Sequence, residues 1–363
     1  MRLESPSHDK AAVDRCGADL ARRLEAIGGR VTRLPQRDRG DHIRAEFGDR
    51  GAEQQLLLLG HFDTVWPVGQ LERMPIEQRD GRLHGPGVFD MKAGIALGML
   101  AVRAVDSRQS TVDSRQSTVD RPRIVMLWTS DEEIGSGTSR ETIEAEARRS
   151  AAVLVLEPSL PGGALKTARK GCGDYEVIVR GVSSHAGIEP EKGVSAVAEL
   201  AQQIVRINAE QDLAHGVSIN VTQVAGGRAA NVIPDEARAI IDVRASDAAG
   251  AARIARTFRQ LTPVDPRTTI EVRGGLDRPP LERTAAVAGL FDRARAVAAA
   301  LGLTLSEGAT GGGSDGNFTA SLGVPTLDGL GAVGDGAHAL HEHVLVDALP
   351  DRAALIAGLL QSI

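Results

Sequence analysis

Aromatic side chains are scarce: two Trp, one Tyr and six Phe make up 2% of 363 residues. That argues against a surface of stacked rings such as grips single-stranded nucleic acid. Positive charge is also short, with 42 Lys and Arg against 48 Asp and Glu and a formal net charge of -6. Neither nucleic acid nor an anionic membrane is therefore expected as the main partner. The only cysteines, Cys16 and Cys172, stand in unrelated contexts and are expected as two thiols, not a structural bridge. The strongest apolar runs, Leu56 to Leu59 and Ile124 to Trp128, are strand-sized and far too short to span a bilayer. No basic-then-apolar leader opens the chain, so it reads as cytoplasmic.

What is present is enough for two domains. Apolar spacing gives a helix from His8 to Ile27, stopped by Gly28 and Gly29. Leu56 to Leu59, Ile124 to Thr129 and Ala152 to Leu156 read as strands buried on both faces, with helices at Met91 to Val105 and Ser136 to Arg149. This alternation implies a layered α/β domain. Within Asp106 to Val119 the heptapeptide DSRQSTV occurs twice in succession, and its polar composition implies a surface loop without chemistry. From Lys170 the order becomes β-α-β-β-α-β: a strand around Tyr175 to Val179, a helix Val194 to Asn208, and strands Val217 to Val224 and Ala237 to Val243. A helix Ala251 to Leu261 and a strand Thr269 to Val272 complete it. That is a ferredoxin-like, α+β arrangement inserted into the first domain. The expected division is 1–170 with 279–363, and 171–278 as the insert. Helices at Thr284 to Ala300 and Asp351 to Gln361, and strands at Leu303 to Leu305 and Pro325 to Leu327, finish the chain.

Four motifs fall where buried strands end, the place open α/β sheets put their sites. HFDTV at 61–65 sets His61 and Asp63 two apart, on one side of an extended backbone. GPGVFDMKAG at 85–94 brackets Asp90 with glycines; alone it reads equally as a helix N-cap. TSDEEIGS at 129–136 lines up Asp131, Glu132 and Glu133, which repel one another unless solvated or bound to a cation. LEP at 156–158 ends an apolar strand on Glu157, and a carboxylate there needs a partner. Together, His, Asp and Glu donors of this kind suit zinc, cobalt or manganese.

The order HxD, Gly-bracketed Asp, EE, strand-end Glu and then GAH at 336–338 resembles the co-catalytic zinc aminoacylase and carboxypeptidase family. The resemblance extends from Ser5 to the end of the chain. ARKG at 168–171, GGLDRPP at 274–280 and GGGSDGNF at 311–318 are most similar to its glutamate carboxypeptidase branch. The resemblance implies a zinc-peptidase catalytic domain carrying an inserted lid and dimerisation domain. It implies that Asp90 bridges two divalent ions, most simply zinc, with His61 and Glu157 on one, and Glu133 and His338 on the other. Asp63 would orient His61, and the Asp90–Met91 peptide would be cis. His338 fits the family pattern because Glu342 follows four positions on, leaving His341 and His343 as ordinary loop histidines. The implied reaction is attack of a metal-bridged water on a C-terminal peptide or amide bond, with Glu132 as general base. His185, in SSHAG, would stabilise the oxyanion from the partner subunit of a homodimer.

The same resemblance implies that Asn231 and Arg244 take the substrate's terminal carboxylate, Arg244 as a bidentate fork. Pairing of Arg244 with Asp242 is the plainer alternative. Gly313, in the GGGSDGN loop, brings backbone N–H groups close, and Lys166 and Arg278 are candidates for reading a second carboxylate such as glutamate's. The expected substrate is a small peptide releasing its C-terminal residue, with glutamate as the candidate. The enzymatic alternative is an N-acylated amino acid. A non-catalytic metal-binding protein is disfavoured because base, bridge and all four terminal ligands are present. Two departures from the family stand out: the duplicated loop has no counterpart, and neither has the helix expected before ESPS.

Overall fold

The computed structural model describes residues 2–48, 54–109 and 123–363. Contacts divide the chain into two units, one of residues 1–168, 283–309 and 314–363, the other of 169–282 and 310–313. Among the described residues no helix is long and apolar enough to cross a membrane, and neither cysteine forms a disulfide.

The first unit is built on a six-stranded mixed sheet. Its order is Arg30–Leu34, His42–Phe47, Arg123–Thr129, Gln55–His61, Ala152–Val155 and Thr326–Leu327. Every residue of Gln55–His61 is buried, because helices cover both faces. Leu56, Leu58, Met126 and Trp128 pack on one side with helices Lys10–Ala26, Ala93–Gln109, Ala285–Ala300 and Leu349–Ser362. Leu57, Leu59, Val125 and Leu127 pack on the other, against Ile143 and Ala147 of helix Arg140–Ala147 and Phe318 of helix Gly316–Ser321. Alternate leucines of one run thus feed two cores, as strand geometry demands. Strands Arg123–Thr129, Gln55–His61 and Ala152–Val155 run parallel, so His61, Thr129 and Val155 all finish at one edge. A separate antiparallel sheet has the order Gly334–Asp335, His343–Leu345, Arg82–His84, Glu77–Arg79.

The second unit is a four-stranded antiparallel sheet, Ser218–Gly226, Glu236–Ala245, Gly171–Arg180 and Thr269–Arg278 in that order. Numbered along the chain, this is 2-3-1-4, the arrangement of a split β-α-β fold. Helices Ala196–Asn208 and Ala248–Arg259 start at side-chain caps, Ser195 accepting from the Ala198 N–H and Asp247 from the Gly250 N–H. Their apolar sides reach the sheet through Leu200, Ile207, Ile254 and Phe258, the last stacked on Tyr175 with ring centroids 3.7 Å apart.

Three expectations need correction. The helix before the duplicated segment runs to Gln109 and takes in its first residues; 110–119 lie outside the described residues. No strand forms at Leu303 to Leu305; the strand is Glu307–Thr310, displaced by the turn at Gly302 with φ +75°. His343 is not a loop residue but opens a strand and is buried.

Candidate metal centre

The parallel edge gathers side chains from distant segments. His61 Nε2 lies 3.1 Å from Asp90 Oδ1 and 3.4 Å from Glu157 Oε1. His338 Nε2 lies 3.1 Å from Glu133 Oε2 and 3.5 Å from Asp90 Oδ2. Asp90 therefore sits between two histidines, one on each carboxylate oxygen, and the Asp90–Met91 peptide is cis. Ligand atoms of His61, Asp90 and Glu133 all fall within 4.8 Å of one another. His61, Asp63 and Glu157 are buried, whereas the His338 side chain is half exposed.

Such crowding of acids and imidazoles shifts their protonation. Burial alone would lower His61, but its contacts to Asp63, Asp90 and Glu157 carry it well above the ordinary imidazole value. His338 is pushed up to about 9, mainly by its hydrogen bond to Glu133. Burial raises Glu133 itself. The same crowding of carboxylates that raises these groups would favour a bound cation. Glu133 Oε1 is buried with no hydrogen-bond partner among the described residues, which is costly unless something else binds it. Carboxylate and imidazole donors, an orphaned oxygen and a bridging carboxylate all fit divalent ions of the zinc type.

Backbone and side-chain contacts hold the cluster in place. His61 Nδ1 meets the Asp63 carbonyl at 3.1 Å, closer than the Asp63 carboxylate at 3.4 Å. The Asp63 carboxylate instead accepts the Glu132 and Glu133 N–H groups, each at 3.3 Å, and the Ser7 hydroxyl at 2.7 Å. It thereby ties the first histidine to the acidic turn. Asp315 grips that turn from both ends, accepting from Thr129 Oγ1 and Ser136 Oγ.

Glu342, which sequence pattern singled out only as a spacing mark, is wholly buried. Its Oε2 accepts the Trp66 indole and the Gly87 N–H, both at 2.9 Å. Its Oε1 accepts the Phe89 N–H at 2.9 Å and the Asp90 N–H at 3.1 Å. Four donors on one carboxylate fix the Asp90 turn to the segment that carries His338. The sequence gives no sign of the positioning roles of Ser7, Asp315 and Glu342, because each acts through a neighbour's backbone or hydroxyl.

The remaining candidates are placed less uniformly. Lys166 is buried in the first unit and its backbone pairs with Asp328, so it is not a solubilising surface charge. In the second unit, His185 is exposed, and its Nδ1 accepts the Gly187 and Ile188 N–H groups at 3.1 and 3.2 Å. In a neutral ring this leaves the proton, and so the donor, on Nε2. Asn231 is exposed, and its backbone carbonyl accepts the Ala186 N–H. Arg244 is engaged by Asp242, Nη2 to Oδ2 at 2.7 Å and Nε to Oδ2 at 3.1 Å, with Nη1 3.3 Å from the Gly311 carbonyl. The pairing alternative is thus what the ligand-free fork adopts. Arg278 is buried; a Cβ on Gly313 would stand 2.7 Å from its Cδ and 2.9 Å from Cys172 Sγ, so a side chain there would have to displace both.

Comparison with known proteins agrees with this geometry. The model of peptidase family M20/M25/M40 matches residues 57–362. Carboxypeptidase G2 of Pseudomonas sp. (strain RS-16) is 31% identical over 373 residues, covering 100% of this chain and 87% of that protein. A succinyl-diaminopimelate desuccinylase of Cereibacter sphaeroides is 30% identical over 369 residues, 94% and 92% of the two chains. Among solved structures, the aminopeptidase PepT of Bacillus cereus superposes with a TM-score of 0.76 at 21% identity, over 99% of this chain and 95% of that one.

Proposed function

The chain belongs to peptidase family M20/M25/M40 and is a metal-dependent peptidase or amidohydrolase, and from that premise we propose that it is a carboxypeptidase or dipeptidase releasing a C-terminal amino acid. His61 and Glu157 would hold one divalent cation, and Glu133 and His338 a second. Asp90 would lie between them, and zinc is the ion these donors suit best, ahead of cobalt or manganese. Ions bound there supply Lewis-acid polarisation of the attacked carbonyl and ready deprotonation of water. Glu132, whose backbone is fastened to Asp63, accepts the proton of the attacking water and passes it to the leaving nitrogen. The observation that carries this reading is the convergence of both histidines on the two oxygens of Asp90.

The inserted unit is assigned as a lid and dimerisation domain. Its strand Ser218–Gly226 is a sheet edge, with Val224 60% exposed on it and Val205 70% exposed on helix Ala196–Asn208, as a pairing surface between two copies requires. His185, with its donor on Nε2, would steady the oxyanion in a second copy's site. Asn231 and Arg244 would take the terminal carboxylate, Arg244 exchanging Asp242 for substrate, with Gly313 giving close approach. Lys166 and Arg278 are the candidates for a side-chain carboxylate, such as glutamate's.

The 30% identical desuccinylase favours a second reading, deacylation of an N-acylated amino acid on the same centre. A substrate panel on metal-loaded protein separates the two. Chelator-sensitive release of glutamate from peptide or pteroyl substrates supports the first reading, and turnover of N-acyl amino acids alone replaces it with the second.

A further inference from the structure

The small antiparallel sheet aligns four side chains in one row. Its register pairs Asp335 with His343, His343 with His84, and His84 with Glu77. Residues directly opposite in an antiparallel pair share a face, with Cβ atoms about 4.5–5.5 Å apart. Two imidazoles therefore stand side by side, with a carboxylate at each end. The next row, Gly334, Val344, Leu83 and Gln78, takes the opposite face, where Val344 joins the core.

The ring centroids of His84 and His343 are 5.3 Å apart, with planes inclined by 35°. Two imidazoles bound tetrahedrally to one ion at about 2.0–2.1 Å would hold their centroids about 5 Å apart. The observed ring separation is close to that value. His343 Nδ1 lies 2.9 Å from the His341 carbonyl. A carbonyl only accepts, so the neutral ring carries its proton on Nδ1 and offers a lone pair at Nε2. A carbonyl on the far nitrogen is also the usual support of a metal-bound histidine. Neither ring nitrogen of His84 has a hydrogen-bond partner among the described residues. Burial, then the charge of Arg79, holds His84 below the ordinary imidazole value, so its lone pair is available at neutral pH.

We propose that His84 and His343 form a further divalent-metal site, separate from the Asp90 cluster, for a borderline ion such as zinc, nickel or copper, with Glu77 as third ligand. Asp335 is less suited, since its Oδ1 accepts the Gly336 N–H at 2.7 Å. Glu77 is exposed and, among the described residues, paired only with Arg79, Nε to Oε1 at 3.4 Å. That is a weak surface pair, from which rotation of the carboxylate toward the ion needs no backbone movement.

The site's place in the chain gives it a consequence. Strand Arg82–His84 runs straight into the glycine-bracketed turn of Asp90, and strand His343–Leu345 directly follows the segment from His338 to Glu342. An ion between His84 and His343 staples the two strands from which both turns extend.

The test is a Ni2+ titration of zinc-loaded protein, followed by calorimetry and by analysis of total bound metal after desalting. Zinc plus nickel should come to one ion per chain more in the wild type than in His84→Ala, with a rise in Tm. His84→Ala should lack that ion and the Tm rise while keeping its turnover. Glu77→Gln, a change at an exposed position, should weaken Ni2+ binding about tenfold, and Arg79→Gln should tighten it by freeing Glu77. Absence of an extra ion in the wild type would overturn the proposal, as would Ni2+ binding that His84→Ala and Glu77→Gln leave unchanged. Should His84→Ala not fold, the Glu77 and Arg79 pair decides by moving affinity in opposite directions or not at all. The outcome is independent of whether the Asp90 cluster holds two ions.

Discussion

In the unit built on the six-stranded sheet, Asp63, Glu157 and Glu342 are buried, and Asp63 and Glu342 are fastened by backbone N–H groups. In the inserted unit, His185 and Asn231 are exposed and Arg244 is answered by Asp242. Buried carboxylates persist only where something compensates them; backbone N–H groups do so for Asp63 and Glu342, His61 lies beside Glu157, and under the proposed function a cation would complete the compensation within this unit. The second group carries no such debt of desolvation. Its members are ordered by turns and by an ordinary ion pair, and they gain a role only from what docks on them.

The sharpest way to break this contrast is Glu132→Gln, which should cut kcat by about 10²–10⁴-fold with metal content unchanged. Undiminished hydrolysis would place the proton acceptor elsewhere. His185→Ala should lower kcat by roughly 10²–10³-fold with little change in KM, and mixing it with Glu132→Gln should restore part of the activity if sites are completed between copies. No rescue, with dimers present, would return His185 to the role of a turn residue. Glu342→Gln replaces two acceptors by one acceptor and a donor facing N–H groups. Metal affinity, read by chelator competition, should fall about 10–100-fold, whereas a loss of turnover with affinity intact would contradict the positioning role.

The smallest effect tests the inserted unit by pH. Glu199 is buried, yet the Val264 and Asp265 N–H groups, each at 2.9 Å, and Gln203 hold its carboxyl below the ordinary value against the burial that would raise it. Because the folded value is the lower one, its stabilisation is complete above the unfolded value of about 4.5 and is lost as pH falls through the folded value. Glu199→Gln should therefore cost about 1–3 kcal/mol at pH 7, and the gap to wild type should narrow in urea melts as pH falls below about 4.5. A gap independent of pH would assign the loss to packing.

Much of this was legible in sequence. The leucine run, the acidic turn after Trp128 and Glu157 at a strand end each set a charge where apolar patterning says the chain is buried, and the structure gathers them at one sheet edge. The β-α-β-β-α-β order was equally plain, since its strands are long enough to alternate. The small sheet was not, because Glu77–Arg79, Arg82–His84, Gly334–Asp335 and His343–Leu345 are two or three residues each. Periodicity needs more residues than that. His343 was misjudged for the same reason, and the pairing of Arg244 with Asp242 could be posed from spacing but not decided.

The central claim is that five side chains from scattered segments hold two ions around Asp90. Zinc counted per chain after exhaustive dialysis, in His84→Ala and in the double variant His84→Ala with His338→Ala, tests it most directly, since neither carries the other proposed site. Two ions in the first and one in the second is the predicted result; equal counts in both, or none in either, would contradict it.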